Sequence, residues 1–206
     1  MPTKTFMIGL RNYSITTSGQ WRYRQSMDPY VRMKSKFNYR ARSAFKLFEI
    51  NEKFKIIKPG HTVLDLGAAP GGWTQVALQT VMKKKSGKVI AVDLLEIDPI
   101  ENAHIIKGDI HDPDVIQQIQ SVTGMQNERS IDVLLSDMAH SFTGFRTADV
   151  PKVTALVEMA VAVAGLPTML KPGGTFVAKF LMGEGNNELF DLMRSQFKSV
   201  VSFKPR

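Results

Sequence analysis

There is no cysteine among the 206 residues. Disulfides, thiolate nucleophiles and cysteine-ligated zinc are therefore excluded. Long apolar runs are missing as well. None reaches the ~18 residues of a membrane-spanning helix. The nearest, Ala155 to Leu170, is interrupted by Glu158, Gly165 and Pro167 and reads as a core helix. His61, His104, His111 and His140 are scattered without metal-ligand spacing, so no metal site is expected. Acidic residues are scarce in one region only. Residues 1–58 hold 13 Lys/Arg against three acids, Asp28, Glu49 and Glu52. Residues 59–206 hold 14 Lys/Arg against 16 acids, so the net charge of +8 belongs to the N-terminal quarter. Basicity so placed suits a polyanion, since each phosphate contact releases counterions.

From Met1 to Met27 there is no acid, while Lys4, Arg11, Arg22 and Arg24 stand among repeated Ser and Thr. Phe6, Met7, Ile8 and Leu10 do not make the continuous apolar core of a secretory signal. Residues 1–27 read as a mitochondrial transit leader, and matrix localisation follows; the competing reading is an RNA-binding arm that stays attached. Residues 28–206 read as one domain, because the chain is long enough for a sizeable core and no repeat or low-complexity linker divides it.

What is present is alternation. Tyr39 to Lys53 places Ala44, Leu47, Phe48 and Ile50 at near-helical spacing, with Arg40, Arg42 and Lys46 elsewhere on the surface. Strands are predicted at Thr62–Leu66, Lys88–Val92, Ala103–Lys107, Ile131–Leu135, Thr175–Phe180 and Val200–Phe203. Helices are predicted at Trp73–Val81, Asp114–Val122, Glu188–Gln196 and from Val150-Pro151 towards Met169, the last capped by Asp149. Strands alternating with helices imply an α/β, Rossmann-like fold, a mostly parallel sheet with helices on both faces.

In such sheets ligands bind beyond the carboxyl ends of the strands. The turn Asp65-Leu66-Gly67-Ala68-Ala69-Pro70-Gly71-Gly72-Trp73 lies there, and glycine permits close backbone approach. It is not the G-x-G-x-x-G of dinucleotide binding. Asp65 would oppose a diphosphate but suit a cationic cofactor. Asp93 can accept from both hydroxyls of a ribose, and Asp109 is placed for an adenine edge. Singly, each aspartate is a cap or turn residue. Jointly, at successive strand ends, they form the layout expected for S-adenosylmethionine, with a nicotinamide dehydrogenase as the rival.

Five ordered blocks carry a resemblance: Tyr39-Arg40-Ala41-Arg42-Ser43-Ala44-Phe45-Lys46-Leu47, Asp65 to Trp73, Val92-Asp93-Leu94-Leu95, Leu135-Ser136-Asp137-Met138-Ala139, and Lys179 with Gly183-Glu184-Gly185. Over about residues 28–206 the chain resembles the FtsJ/RrmJ family of ribose 2′-O-methyltransferases. The leader and Asp28-Pro29-Tyr30-Val31 look most like its mitochondrial branch, whose substrate is a uridine in large-subunit ribosomal RNA. The resemblance implies Lys46, Asp137 and Lys179 as three members of a catalytic Lys-Asp-Lys-Glu tetrad. It also implies cofactor contacts at Gly71, Trp73, Asp93, Asp109 and Asp137, beside the turn residues Asp65, Gly67 and Gly72. A ribose hydroxyl is a weak acid whose proton must leave as it attacks. A lysine can take that proton only if its pKa is lowered, and a second lysine nearby lowers it. Lys179 is the expected base, Lys46 the neighbouring charge, and Asp137 the group that orients Lys179. Arg32, Lys34, Lys36, Arg40 and Arg42 are the expected phosphate contacts, with ribosomal RNA or a large-subunit precursor particle as partner.

Two departures stand out. The family's glutamate follows a Lys-Pro pair, whereas here Lys204-Pro205 is followed by Arg206 alone. The family's final antiparallel strand, inserted between the fifth and sixth, is expected to be missing too, leaving two exposed edges. A fragment or an impaired variant would each account for this. The second departure is His140-Ser141, where the family commonly reads Pro-Asn. Two other functions compete: methylation of tRNA, and a ribosome-assembly factor that binds RNA without methylating it.

Overall fold

The computed structural model describes residues 4–10 (as backbone), 38–124, 128–183 and 186–205. Seven strands are formed: β1 (Lys4–Leu10), β2 (Thr62–Leu66), β3 (Lys88–Asp93), β4 (His104–Lys107), β5 (Ile131–Ser136), β6 (Leu170–Leu181) and β7 (Ser199–Phe203). Among the described residues five helices accompany them: α1 (Ala44–Phe54), α2 (Gly72–Val81), α3 (Pro113–Thr123), α4 (Arg146–Gly165) and α5 (Asn186–Gln196). The sheet order is β4-β3-β2-β5-β6-β1-β7, and every described pairing is parallel.

The central strands are short apolar runs with no polar alternation, because both of their faces are covered. Successive side chains point to opposite faces. Leu64, Leu66, Ile90 and Leu134 therefore pack with residues of α3, α4 and α5. Val63, Val89, Val133 and Leu135 pack on the other side with residues of α1 and α2. Strand order reverses between β2 and β5. Chain ends diverge there and open a crevice at the carboxyl edge of the sheet.

Three element boundaries differ from the sequence expectation. α4 begins at Arg146, one turn before Asp149, and carries Pro151 inside it. That proline costs one backbone hydrogen bond near the helix start, where the following turns hold the helix together. β6 starts at Leu170 opposite Ile131, shifts register, and resumes at Thr175 opposite Val133. The third difference is at the far edge. No antiparallel strand lies between β6 and β7 among the described residues, and the two edges expected there are not exposed. β1 occupies the slot, pairing Lys4–Leu10 with Thr175–Leu181 on one side and Lys4–Ile8 with Ser199–Phe203 on the other. Two facing strand edges offer unpaired N–H and C=O groups to any strand of matching direction, and residues 4–10 meet both.

Candidate active site

The approach to the site is built by the segment before α1. Tyr39 Oη donates to Gln79 Oε1 at 2.7 Å. The Arg40 backbone N–H donates to Gln75 Oε1 at 2.8 Å, and Gln75 Nε2 donates to the Asn38 carbonyl at 3.1 Å. The Trp73 indole N–H donates to the Ser43 carbonyl at 2.9 Å. Residues 38–43 are thereby fastened to α2, and α1 presents Lys46 from a fixed base, half-buried.

Lys46 faces the ends of β5 and β6. Lys179 Nζ donates to the Asp137 carbonyl at 2.7 Å and forms an ion pair with the Asp137 carboxylate. Their side chains are only 10% and 15% exposed. Asp137 is itself held by its N–H to the Leu66 carbonyl at 3.1 Å, which ties the ends of β2 and β5 together. Burial lowers the Lys46 pKa below the ordinary lysine range; Asp137 opposes this, while Lys179 and Arg42 reinforce it. The three residues expected to act together are thus in one electrostatic neighbourhood.

Beside them a cavity of about 280 Å³ opens over the crevice. Gly67, Ala69, Asp93, Asp109 and Asp137 line it, with Leu94, Ile110 and Met138 as apolar wall. Gly67 has φ +70°, and a Cβ there would lie 2.7 Å from the Met138 Cα, so the β2 turn and the β5 turn meet backbone to backbone. Asp93 accepts the Ala69 N–H on Oδ2 and the Leu95 N–H on Oδ1, both at 2.8 Å. A carboxylate has about four acceptor positions, so two remain for ligand hydroxyls. Asp109 accepts the His111 N–H on Oδ1 at 2.9 Å, and the bonds from His111 keep its pKa below the usual carboxylate value. Acceptors for a ribose at one strand end, an acceptor at the next, and an anion beside the crevice fit an adenosine carrying a cationic sulfonium.

The remaining expectations fall out unevenly. Asp65 is corrected: it is fully buried beneath the turn and is absent from the cavity wall. As the odd-numbered neighbour of Leu64 and Leu66 it points to the α2 face, where its Oδ2 accepts from Thr74 Oγ1 at 2.7 Å. Burial pushes its pKa up to about 7. Gly71, Gly72 and Trp73 also lie outside this cavity wall. A Cβ on Gly71 would meet Ile100, one on Gly72 would meet Ala41, and Trp73 is buried under residues 38–43. Arg40 is not free for phosphate. Its guanidinium donates to the carbonyls of Pro70, Asp98 and Pro99. Arg42 is exposed. Arg32, Lys34 and Lys36 lie outside the described residues, as does Glu184. Among the described residues no group of three His, Asp or Glu is placed to hold a metal ion, and no helix is long and apolar enough to cross a membrane.

The loop that begins at His140-Ser141 is a departure legible in the sequence, but the way residues 143–149 close it is not. Asp149, expected as a helix cap, instead reaches back from inside α4. Its Oδ1 accepts from the Thr143 N–H and hydroxyl, each at 2.9 Å, and its Oδ2 from the Gly144 N–H at 3.0 Å. Burial acts to raise its pKa, but these bonds outweigh it and hold the carboxylate below the usual range. The signal present in the sequence was Thr143-Gly144 placed shortly before an aspartate, a local backbone loop closed by a carboxylate.

A parallel α/β sheet with an acid–glycine turn, two further strand-end acids and a paired lysine and aspartate defines a Rossmann-like methyltransferase. Residues 39–206 match the model of the FtsJ-like methyltransferase family. The chain belongs to that family. A Pseudomonas paraeruginosa protein named ribosomal RNA large subunit methyltransferase E is 41% identical over 189 residues, covering 92% of this chain and 88% of the relative. A Francisella tularensis protein of the same name is 38% identical over 191 residues, covering 93% and 89%. Among solved structures, a Plasmodium falciparum ribosomal RNA methyltransferase superposes with a TM-score of 0.67 at 28% identity, covering 78% of this chain and 88% of that one.

Proposed function

We propose that the protein transfers the methyl group of S-adenosylmethionine to a ribose 2′-hydroxyl of large-subunit ribosomal RNA, a uridine's, in the mitochondrial matrix. The observation that carries this reading is the buried Lys179–Asp137 pair with Lys46 alongside, at the edge of a cavity lined by Gly67, Asp93 and Asp109. When bound, S-adenosylmethionine supplies an electrophilic methyl group on a sulfonium. Asp93 would hold its ribose hydroxyls and Asp109 its adenine edge. Asp137 fixes the Lys179 ammonium through carbonyl and carboxylate together. Burial lowers the Lys46 pKa below the ordinary lysine range, and the charge of Lys179 reinforces this against the opposing Asp137. Lys179 in its deprotonated, neutral form would accept the 2′-hydroxyl proton as that oxygen takes the methyl group and the sulfonium becomes a thioether, while Lys46 and Arg42 hold the acceptor strand. Two lysines crowded around one buried aspartate are a cost that an RNA-binding factor without chemistry would not carry.

The matrix location and the uridine rest on the basic, acid-free N-terminus and on the Asp28-Pro29-Tyr30-Val31 block. With β1 built into the sheet, the leader is proposed to act as an import signal that is retained rather than removed at residue 27.

Incubating the chain with labelled S-adenosylmethionine and large-subunit RNA, then mapping 2′-O-methylation, tests the reading. One new methylated ribose is expected. Lys179→Ala should abolish transfer, on the order of 10²–10⁴-fold for loss of a general base, and leave cofactor affinity nearly unchanged. Loss of cofactor binding in that variant would remove Lys179 from the role of base.

A further inference from the structure

Arg146 and Phe145 stand at the junction of two loops that border the acceptor side of the site. The first loop leaves Asp137, lines the cavity with Met138 and Ala139, and continues through residues 140–145. The second follows Lys179 at the end of β6. The Arg146 guanidinium donates to the Met182 carbonyl and joins them. Gly183 packs so tightly on α4 that an added Cβ would lie 2.5 Å from Val150 Cγ2.

The first loop is also closed internally. Besides the three bonds to Asp149, the Phe145 N–H donates to Thr143 Oγ1 at 3.2 Å. The Phe145 carbonyl accepts from the N–H groups of Ala148 and Asp149 at 3.0 and 2.9 Å. The backbone of Phe145 is therefore fixed on both sides. Its ring is not: it is 68% exposed, and Met182 beside the same hydrogen bond is 50% exposed. A large apolar ring held out to solvent on a rigid loop contributes nothing to the core, and a fixed aromatic face is what an unstacked nucleobase binds.

We propose that Phe145, backed by Met182, is a stacking platform for a nucleobase of the RNA strand beside the acceptor ribose. This rests on the reading of the protein as an RNA ribose methyltransferase, and makes Phe145 a positioning residue for that substrate. The occupant is a base rather than an apolar protein surface because the loop that carries Phe145 starts at Asp137 and lines the cavity with Met138 and Ala139, and Arg146 ties it to the turn three positions past Lys179. Stacking there adds affinity for RNA without touching the proton-transfer groups. It therefore acts on RNA binding more than on the chemical step.

The test uses the full chain with a fluorescein-labelled large-subunit ribosomal RNA fragment, an oligouridylate, and an abasic ribose–phosphate oligomer of the same length. Binding is read by anisotropy, and transfer is read separately. Phe145→Ala should weaken binding to the fragment and to oligouridylate by roughly fivefold or more, the low end for loss of one base–aromatic stack. Affinity for the abasic oligomer and for S-adenosylmethionine should stay as in the wild type, as should kcat at saturating RNA. Phe145→Tyr should restore binding, since a phenol ring stacks equally. An equal loss on the abasic oligomer, or failure of Phe145→Tyr to rescue, would mean the loop had been disturbed and would overturn the proposal. Unchanged RNA binding in Phe145→Ala would do the same, even if binding to precursor particles fell, because the patch would then face protein. If the wild type binds bases through Phe145 yet transfers no methyl group, the stacking platform stands and the enzymatic reading falls.

Discussion

Asp65 shows how a residue can be placed correctly on a strand and still be assigned the wrong work. Its position at the end of β2 was legible, because Thr62–Leu66 is a buried strand ending in a glycine turn. Which face it took was not, since a strand buried on both sides gives no alternation to read. The carboxylate lies on the α2 side with one oxygen on Thr74 and the other without a hydrogen-bond partner. Its pKa moves from 3.8 unfolded to about 7 folded. The folded chain therefore binds the extra proton more tightly, and stability falls as pH rises from about 4 to about 7, with the full cost present above that. That cost is on the order of 4 kcal/mol by the conversion of pKa difference to free energy. Asp65→Asn keeps an acceptor for the Thr74 hydroxyl and removes the charge. Thermal unfolding should show the variant stabilised at pH 8 and little changed near pH 4; equal effects at both would show that the carboxylate is not the titrating group. Arg40 tells the same story. A basic residue in a basic segment reads as a phosphate contact, but three carbonyls from loops 30 to 59 positions away claim its guanidinium, and only the folded chain brings them together.

At the scale of elements, alternation of apolar runs with helical patterns was sufficient for β2 to β7 and all five helices, to within a few residues. β1 was not legible. Thr5 to Leu10 reads in the sequence as part of a leader, and the two strand edges it pairs with are brought together only by the fold. β7 has β1 as its described strand partner, because β6 and β7 do not pair directly. Deleting residues 1–10 should therefore unfasten β7. Native-state hydrogen exchange is the measurement: amides of Ser199–Phe203 are expected to lose protection while those of β2, β3 and β5 keep theirs. Protection of β7 that survives the deletion would contradict the bridging role. On the proposed matrix location, the mature form is expected to begin before Lys4, which N-terminal peptide mapping would check.

For the whole molecule, charge is divided by region: an excess of +10 in residues 1–58 and −2 in the remainder. The excess in residues 1–58 is expected to supply the attraction for RNA. Arg40 is committed to loop carbonyls, and Arg32, Lys34, Lys36 and Arg42 are the other members of the expected set. Affinity for single-stranded ribosomal RNA should fall linearly in a log–log plot against salt. Each of these residues changed to Gln should make the slope shallower by about 0.7. A slope that does not move in those variants would place the phosphate contacts elsewhere.

The sheet also imposes an order of events in time. Residues 4–10 leave the ribosome well before the strands on either side of them, 170–181 and 199–203. Contacts of such long sequence separation are slow to form because the loop that joins them must close first. During synthesis the opening segment has no sheet to enter, and the rest of the domain can assemble up to β6 without it. A late step is the insertion of residues 4–10 between two strands made long after them. Until that happens residues 4–10 lack their strand partners; afterwards they are held between β6 and β7.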